Sequence, residues 1–290
     1  MISLSFDDGR IDNFTLVWPM LRRYQLSATF NICTGYVLGL GNCPRFSNTD
    51  AMTPDMVREI FTDKSMEIAS HGHLHQASAS DLSVGIDTLL ELLGVESLCD
   101  GYNGLAIPHN RISYAEWRMF QKVMADKKVG YVRKSVRYQT HGRWKRWCRK
   151  ASRIIPFSPL YLLAHTDSLL DNDIYGLVYS VPVMASTTPS NIMALVNKAV
   201  EKKKHLVLQF HSVADNNHND PLSYHPKWFE TIIAFLAKAQ DEDILKVVTT
   251  MEMARTRTVK TNEFIGDDEK TNRSLLNYPT GNQHPTHGVG

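Results

Sequence analysis

The sequence predicts an α/β fold built from parallel βαβ units, and three observations support this prediction. Short apolar runs of strand length alternate with longer stretches of helical periodicity over most of the chain. The chain has 290 residues, a length at which α/β barrels commonly form a single domain. Several predicted strands end in acidic or imidazole side chains, as expected where parallel strands open onto an active site.

The alternation of predicted elements defines the domain organisation. The predicted strands are Ile2–Phe6, Ala28–Ile32, Met66–Ala69, Gly104–Ile107, Gly130–Val132, Gly176–Val181, His205–Phe210 and Leu245–Val248. The predicted helices are Phe14–Tyr24, Thr53–Thr62, Asp81–Leu93, Tyr114–Ala125, Pro189–Lys203 and Trp228–Ala239. We therefore expect a barrel over residues 1–255, with an insertion at about 138–173 that breaks the alternation, and a polar, mobile tail over 256–290.

Composition is that of a soluble globular protein. Apolar residues make up 43% of the chain, charged residues 21%, and the formal net charge is +2. We find no uninterrupted run of about 18 apolar residues and no basic, then apolar, leader at the N-terminus, which predicts a cytoplasmic protein. The four cysteines (Cys33, Cys43, Cys99 and Cys148) form no CxxC pair, so we expect reduced thiols rather than a disulfide framework.

The paired carboxylates of Asp7 and Asp8 follow the first predicted strand directly and precede Gly9. Neighbouring side chains at a strand end point in different directions, so one carboxylate can bind a metal while the other handles a proton. The spacing of His71 and His75 gives a second signal, because two imidazoles four residues apart share one face if the segment is helical, a spacing typical of zinc sites. An HxxxH pair also occurs by chance on surfaces, but this pair follows a predicted strand.

A third strand end carries an imidazole. The nearly continuous apolar run Leu206–Phe210 is typical of a buried parallel strand, and His211 follows it. A core histidine bonded to a backbone carbonyl would explain this residue equally well in isolation. Three such strand ends directed into one barrel favour a metal site with a separate base and acid.

The chain resembles the polysaccharide deacetylases, the NodB-homology or carbohydrate esterase family 4 group, over roughly residues 1–255. Ser5-Phe6-Asp7-Asp8-Gly9 is similar to the first motif of the family, Thr-Phe-Asp-Asp-Gly. The segment from His71 to His75 is similar to its His-Ser/Thr-x-x-His motif, and Leu206–His211 is similar to its Leu-x-Leu-x-His motif.

The resemblance implies a distorted (β/α)7-type barrel that removes an acetyl group from an N-acetylated sugar. It implies that Asp8, His71 and His75 bind a divalent metal, usually zinc, with open positions for water and the substrate carbonyl. It further implies that Asp7 is the general base for that water and that His211 is the general acid for the leaving amine. Amide hydrolysis requires such parts, since an amine leaves poorly unless it is protonated.

Two family motifs are altered in this chain. The third motif corresponds to the stretch Leu105–Asn110, where His109 occupies the usual tyrosine position and the usual arginine is missing. The backbone N–H of His109 can still stabilise an oxyanion, and its ring can contact substrate or metal, although it can equally be a loop histidine. Because the missing arginine normally pairs with the base, we predict that Arg133, at the end of another strand, takes its place; a surface arginine is the alternative.

The fourth motif, which orients the acid histidine, has no clear counterpart. Asp167, Asp171 and Asp173 are the nearby acids, and the sequence does not select among them. The predicted insertion region contains a basic patch interleaved with two tryptophans: Arg133, Lys134, Arg137, Arg143, Trp144, Lys145, Arg146, Trp147, Arg149, Lys150 and Arg153. Such a patch favours an anionic partner, and a solvated surface is the simpler explanation.

Together these features predict a cytoplasmic, zinc-dependent deacetylase of an N-acetylated sugar, in the biosynthesis of a surface polysaccharide or glycolipid. The sugar substrate is expected to be lipid- or nucleotide-linked, with peripheral contact to the inner face of the membrane through the basic insertion and no specific nucleic-acid partner. Two alternatives remain open: an amide hydrolase acting on a non-sugar substrate, and a catalytically degenerate carbohydrate-binding or assembly subunit.

Overall fold

The computed structural model of the protein describes residues 1–41, 50–135, 143–152, 158–170, 176–215 and 220–262. Seven parallel strands form a closed barrel in chain order, and the last strand pairs with the first. The barrel strands are β1 (Ile2–Phe6), β2 (Ala28–Ile32), β3 (Met66–Ser70), β4 (Asn103–Ala106), β5 (Val129–Ser135), β6 (Leu177–Pro182) and β7 (Leu206–Phe210). This closed, helix-flanked barrel confirms the predicted (β/α)7-type fold.

Helices surround the barrel. They are α1 (Trp18–Arg23, preceded by a π-helical turn at Asn13–Val17), α2 (Thr34–Val37), α3 (Pro54–Thr62), α4 (Ala79–Leu93), α5 (Tyr114–Val123), α6 (Arg143–Ser152), α7 (Ser158–His165), α8 (Pro189–Glu201), α9 (Pro226–Asp241) and α10 (Thr250–Asn262). A small parallel pair, β8 (Ser212–Val213) and β9 (Ser223–Tyr224), lies after β7. Two helices begin with the expected N-terminal capping residues. The side chains of Thr53 and Thr188 accept hydrogen bonds from backbone N–H groups in the first turn of α3 and α8, and each threonine is followed by a proline.

The two faces of the barrel differ in polarity because side chains alternate along each strand. Phe6 faces outward, where its ring packs against Phe30 and Phe210 at centroid distances of 5.3 Å and against Phe229 of α9 at 5.8 Å. Its strand neighbours Ser5 and Asp7 face inward and are equally buried. The apolar core therefore lies between barrel and helices, while the barrel interior holds polar side chains that must satisfy one another.

The lower part of this interior is organised around Glu67. Its carboxylate accepts hydrogen bonds from Thr29 Oγ1 (2.8 Å), from Tyr131 Oη (2.8 Å) and from the backbone N–H of Met251 (2.9 Å) at the start of α10. A carboxylate at a helix N-terminus also interacts favourably with the helix dipole. Burial nevertheless raises the pKa of Glu67 above its ordinary value, against the opposing effect of these hydrogen bonds.

One predicted strand differs from the structure. The predicted strand Leu245–Val248 is wrong, because only Val247 makes an isolated bridge, to Ile2, outside the closed ring. Helix α10 continues to Asn262, and 263–290 lie outside the described residues. Helices α6 and α7 lie within the predicted insertion at about 138–173, and the domain bounds predicted from the sequence stay a prediction.

Cys33, Cys99 and Cys148 are free thiols, as expected, whereas Cys43 lies outside the described residues. None of the helices in the described part of the chain combines the length and apolar character that crossing a membrane requires.

Candidate active site

A pocket of about 360 Å³ opens where the barrel strands end at their carboxyl termini. Its lining includes most of the site residues that the sequence predicts, together with polar and apolar residues that it does not: Asp7, Asp8, Arg10, His71, His75, His109, Asn110, Pro182, Gln209, His211 and Leu222. Residues from distant parts of the chain thus share one cavity, as expected for the carboxyl ends of parallel strands.

Asp8, His71 and His75 form a triangle of potential metal ligands. Asp8 Oδ1 lies 3.6 Å from His71 Nε2 and 3.5 Å from His75 Nε2, and the two ring nitrogens are 3.3 Å apart. Ligands placed tetrahedrally around zinc at 2.0–2.1 Å would be separated by roughly 3.4 Å, so the triangle has the size that such an ion requires. The donor set of two imidazoles and one carboxylate also suits a divalent transition metal.

The protonation of the two histidines fits metal binding. His71 Nδ1 lies 2.9 Å from the carbonyl oxygen of Ala106, so Nδ1 donates its proton there and Nε2 presents its lone pair to the triangle. Burial, together with the nearby rings of His71 and His109, lowers the pKa of His75 to about 2. His75 is therefore neutral at physiological pH, the form that coordinates a metal.

The loop that carries both histidines is not helical, which corrects the conformation behind the predicted HxxxH spacing. Instead, Gly72 (φ +78°) and His75 (φ +57°) adopt left-handed backbone conformations that turn the two rings toward each other. The Asp81 carboxylate holds this turn by accepting backbone N–H groups from His73 (3.1 Å), Leu74 (2.7 Å) and Gln76 (2.9 Å). The Asp81 carboxylate thus satisfies backbone N–H groups that helical hydrogen bonds would otherwise satisfy, and the two histidine rings are brought together without a helix.

Close packing also shapes this loop. A Cβ atom on Gly85 of α4 would lie 2.4 Å from the backbone carbon of Gly72, so α4 approaches the loop at a distance that only glycine permits. His73 takes no part in the triangle: its Nδ1 lies 2.8 Å from Thr34 Oγ1.

Asp7 is fully buried and bonded on both carboxylate oxygens. Oδ1 accepts from Arg133 Nη2 (2.6 Å) and Asn31 Nδ2 (2.9 Å), and Oδ2 accepts from Gln209 Nε2 (2.7 Å). Burial alone would raise the pKa of Asp7, but the charge of Arg133, with His71 and His211, outweighs it and lowers the pKa to about 2. Asp7 is therefore ionised at neutral pH and can accept a proton.

Arg133 lies inside the barrel, with 0% of its side chain exposed, and not at the surface. Its Nη1 also donates to Ser180 Oγ (3.0 Å), and Ser180 in turn donates to Gln209 Oε1 (2.9 Å). Strands β5, β6 and β7 thus contribute to one hydrogen-bonded network around Asp7. The catalytic role predicted for Arg133 stays a prediction, whereas its contact with Asp7 is part of the structure.

His211 lies beside Asp7 and lines the same pocket as the metal triangle. Its Nε2 is 3.9 Å from Asp7 Oδ2, the same distance that separates this oxygen from His71 Nε2. Burial lowers the pKa of His211, against the opposing effect of Asp8 and Asp7. Within the described residues, Nδ1 of His211 has no hydrogen-bond partner. Of the acids considered for orienting this ring, Asp167 is exposed, and Asp171 and Asp173 lie outside the described residues.

His109 borders the metal triangle on the solvent side. Its ring meets the His75 ring edge to face, with centroids 4.3 Å apart, and its side chain is exposed at the pocket rim. Both His109 and Asn110 have left-handed backbone conformations (φ +54° and +51°), so the backbone turns sharply at the pocket.

Sequence reasoning missed several residues of the site. Arg10, Asn31, Asp81, Gln209 and Asp220 all bond to predicted site residues, or to their loop, or to one another. A signal existed for two of them: Asn31 is a polar residue within a buried strand, and Gln209 precedes His211 by two positions. The partners of Arg10 and Asp81 depend on loop conformations that no local pattern reveals.

Comparisons with known proteins bear on the family and on the fold of this chain. The family model described as "Polysaccharide deacetylase" matches residues 1–86. Curated protein sequences give no match. A crystal structure of a protein from Mycobacterium smegmatis, assigned as a polysaccharide deacetylase, is similar in fold, with 16% identity, a TM-score of 0.50 and coverage of 99% of this chain and 95% of that chain.

Two further similar structures are IcaB from Ammonifex degensii and the BpsB deacetylase domain from Bordetella bronchiseptica. They are 17% and 20% identical, have TM-scores of 0.36 and 0.37, and cover 45% and 46% of this chain. The match spans 57% and 62% of those two chains, less than two thirds of their lengths. The family match confirms the resemblance predicted from the motifs over residues 1–86, a segment that includes Asp7, Asp8, His71 and His75.

Proposed function

We propose that this protein is a metal-dependent hydrolase that removes the acetyl group from an N-acetylated sugar. The observation that carries the proposal is the ligand triangle of Asp8, His71 and His75, of a size that fits zinc, beside a buried, ionised Asp7 in one pocket. The polysaccharide deacetylase match over residues 1–86 supports the same reaction class. When bound to the triangle, a divalent metal, for which we propose zinc, polarises an acyl oxygen and acidifies water.

Two different side chains carry out the two proton transfers of the reaction. Asp7 accepts the proton of the water that attacks the acyl carbon, since it is ionised at neutral pH and lies beside the triangle. His211 donates a proton to the departing nitrogen as the carbon–nitrogen bond breaks, which yields acetate and a free amine. Because burial lowers the pKa of His211, its ring is neutral at neutral pH, and the proton that it donates is the one that the attacking water releases to Asp7. Arg133 orients Asp7 and stabilises its charge.

We assign His109 to the substrate side of the pocket. Its ring packs against the ring of His75, and the sharp turn at His109 and Asn110 belongs to the pocket lining. In this position its backbone N–H stabilises the oxyanion of the reaction, as the resemblance implies.

Site variants test the proposal. Asp8→Ala, His71→Ala and His75→Ala are each expected to abolish bound metal, measured by elemental analysis, because two protein ligands hold a divalent ion poorly. Asp7→Asn is expected to keep the metal and to lower acetate release by about 10²- to 10⁴-fold, the range for loss of a general base. His73→Ala is the matched control, since this histidine lies in the same loop and bonds to Thr34 instead.

The substrate is tested by measuring acetate release from a panel of acetylated compounds. Turnover of N-acetylglucosamine oligomers or nucleotide-linked N-acetyl sugars supports a sugar deacetylase, whereas turnover of simple non-sugar amides alone favours a different amide hydrolase. Stoichiometric metal without hydrolysis of any compound would indicate a binding or assembly subunit. Full turnover by Asp7→Asn would refute the role of Asp7 as base.

We further propose that the protein acts at the inner face of a membrane, in the assembly of a surface polysaccharide or glycolipid. Five of the ten residues of α6 are basic and none is acidic, and its Trp144 and Trp147 side chains are 64% and 55% exposed. Their rings stack at a centroid distance of 5.1 Å. Exposed tryptophans within a basic helix suit the interface of an anionic membrane.

Vesicle co-sedimentation tests this contact. The protein is expected to bind vesicles containing phosphatidylserine and not vesicles of phosphatidylcholine alone, and the Trp144→Ala/Trp147→Ala variant is expected to lose binding. Trp228→Ala, which removes a partly exposed tryptophan from α9, is the control. Equal binding by both tryptophan variants would show that α6 is a solvated surface.

A further inference from the structure

A buried arginine, Arg10, links the metal triangle to the loop between β8 and β9. Its Nε donates to Asp8 Oδ2 at 2.9 Å, and its Nη1 donates to Asp220 Oδ2 at 3.3 Å. The arginine side chain is only 1% exposed although it lines the pocket. Two carboxylates therefore share one guanidinium. Burial alone would lower the pKa of Arg10, but the charges of Asp8 and Asp220 outweigh this effect and raise the pKa, so Arg10 stays charged.

This contact divides the two oxygens of Asp8 between different tasks. Oδ1 faces His71 and His75 at 3.6 and 3.5 Å, while Oδ2 is bonded to Arg10. A carboxylate with both oxygens free can bind a metal through both of them. With Oδ2 engaged by a charge-assisted hydrogen bond, Asp8 offers a single oxygen to the triangle.

The second contact of Arg10 reaches a segment that lines the pocket. Asp220 Oδ1 accepts the backbone N–H of Leu222 at 2.9 Å, and the carbonyl of Asp220 accepts the backbone N–H of Ser223 at 3.1 Å. Leu222 is part of the pocket lining. Arg10 is thus bonded both to a metal-facing residue and to the turn that places Leu222.

We infer that Arg10 is a positioning residue that fixes Asp8 as a single-oxygen metal ligand and ties this geometry to the 220–222 turn. The inference rests on the proposed metal site, and it adds a residue that lies outside the motifs of the resemblance. Engaging Oδ2 leaves one more coordination position open for water and substrate than a two-oxygen carboxylate would leave. A guanidinium suits this task, because its donors lie in one rigid plane and reach both carboxylates at once.

Cobalt(II) binding tests the inference through a property other than activity. The metal-free full-length protein is titrated with Co²⁺, and the visible d–d absorption, which weakens as the coordination number rises, is recorded. Arg10→Met is expected to bind one equivalent of Co²⁺ with a loss of d–d intensity, because Asp8 Oδ2 becomes free to coordinate. Arg10→Lys restores a cationic donor to Oδ2 and is expected to recover the wild-type intensity.

Three further variants separate this role from a general structural one. Asp220→Asn leaves the contact between Arg10 and Asp8 in place and is expected to keep the wild-type spectrum. Arg10→Leu, which also lacks a donor, replaces Arg10→Met if the latter does not fold, as judged by circular dichroism and thermal melting, and is expected to show the same loss of intensity. Arg58→Met removes an exposed arginine from α3 and is the control.

A wild-type spectrum in Arg10→Met or Arg10→Leu would overturn the inference while leaving the metal site intact, as would a failure of Arg10→Lys to recover the intensity. If the wild-type protein bound no Co²⁺, the proposed metal site itself would be refuted. The two failures are therefore distinguishable within one titration series.

Discussion

The buried ion pair between Arg133 and Asp7 makes a quantitative prediction about stability. Replacing Arg133 with methionine leaves the Asp7 carboxylate inside the barrel with Asn31 and Gln209 as its remaining side-chain donors. Removing one partner of a buried pair typically costs about 3–5 kcal/mol, because the other charge remains desolvated. We expect a loss of that size in the free energy of unfolding of Arg133→Met at neutral pH.

The pKa of Asp7 gives an independent estimate of how much its ionised form stabilises the fold. Its pKa is lowered from 3.8 to about 2 in the folded protein. Since one pKa unit is worth about 1.36 kcal/mol, the native state favours the ionised carboxylate by roughly 2 kcal/mol relative to the unfolded chain. Because the folded pKa is the lower one, this stabilisation is present above pH 3.8 and is lost as the pH falls from 3.8 toward 2.

A double-mutant cycle measures the coupling directly. Urea unfolding of the wild-type protein, Asp7→Asn, Arg133→Met and the double variant is followed in the presence of a chelator, so that bound metal does not contribute. We expect the double variant to be more stable than the sum of the single losses implies, by about 1–3 kcal/mol, because it removes the unpaired charge. Additive losses within about 0.5 kcal/mol would refute the argument that the two side chains stabilise each other.

Three further predictions concern the loop and the barrel floor. Asp81→Asn is expected to weaken metal binding by about 10- to 100-fold in a chelator competition, since an amide cannot accept all three backbone N–H groups of the loop. Unchanged affinity would show that the loop keeps its conformation without Asp81. Gly85→Ala is expected to cost about 1–3 kcal/mol in denaturant unfolding, because its Cβ would overlap the backbone of Gly72, and wild-type stability would contradict this close contact. Asp87→Asn, at an exposed position of the same helix, is the control for both variants. The raised pKa of Glu67 makes its ionised form unfavourable in the folded state, so the wild-type protein is expected to lose stability as the pH rises above 4.5. Glu67→Gln is expected to lose less stability over this pH range, as measured by melting temperatures. The same pH dependence in both proteins would show that the carboxyl titrates as it does in the unfolded chain.

The sequence predicted the seven barrel strands well because all are short runs, and five of them (β1, β2, β3, β4 and β7) are buried throughout. It failed at Leu245–Val248, which is equally apolar. The physical reason lies in the closure of the ring: β1 already pairs with β2 and β7, so Val247 reaches β1 only through an isolated bridge at Ile2. Whether an apolar run becomes a strand depends on available partners, which a local pattern does not specify.

Site prediction succeeded where a residue is positioned by its strand. Asp8 and His211 follow strands directly, and the strand register brings both into the pocket. The His71–His75 spacing was informative for a reason other than the expected helix, since Gly72 and Asp81 build a non-helical turn that brings the rings together. Contacts such as that of Arg10 with Asp220 join residues 210 positions apart, and sequence patterns contain no information on such pairing.

The hydrogen bonds of Asp7 have a consequence for how the protein folds. Its three side-chain donors lie 24, 126 and 202 positions away along the chain, on β2, β5 and β7. A sheet of β1 to β6 alone leaves this carboxylate without Gln209, which reaches it only once β7 pairs with β1. Pairing of β7 with β1 and completion of the site are therefore one cooperative event, and a folding intermediate that lacks this pairing would contain a hydrated Asp7 and no finished pocket.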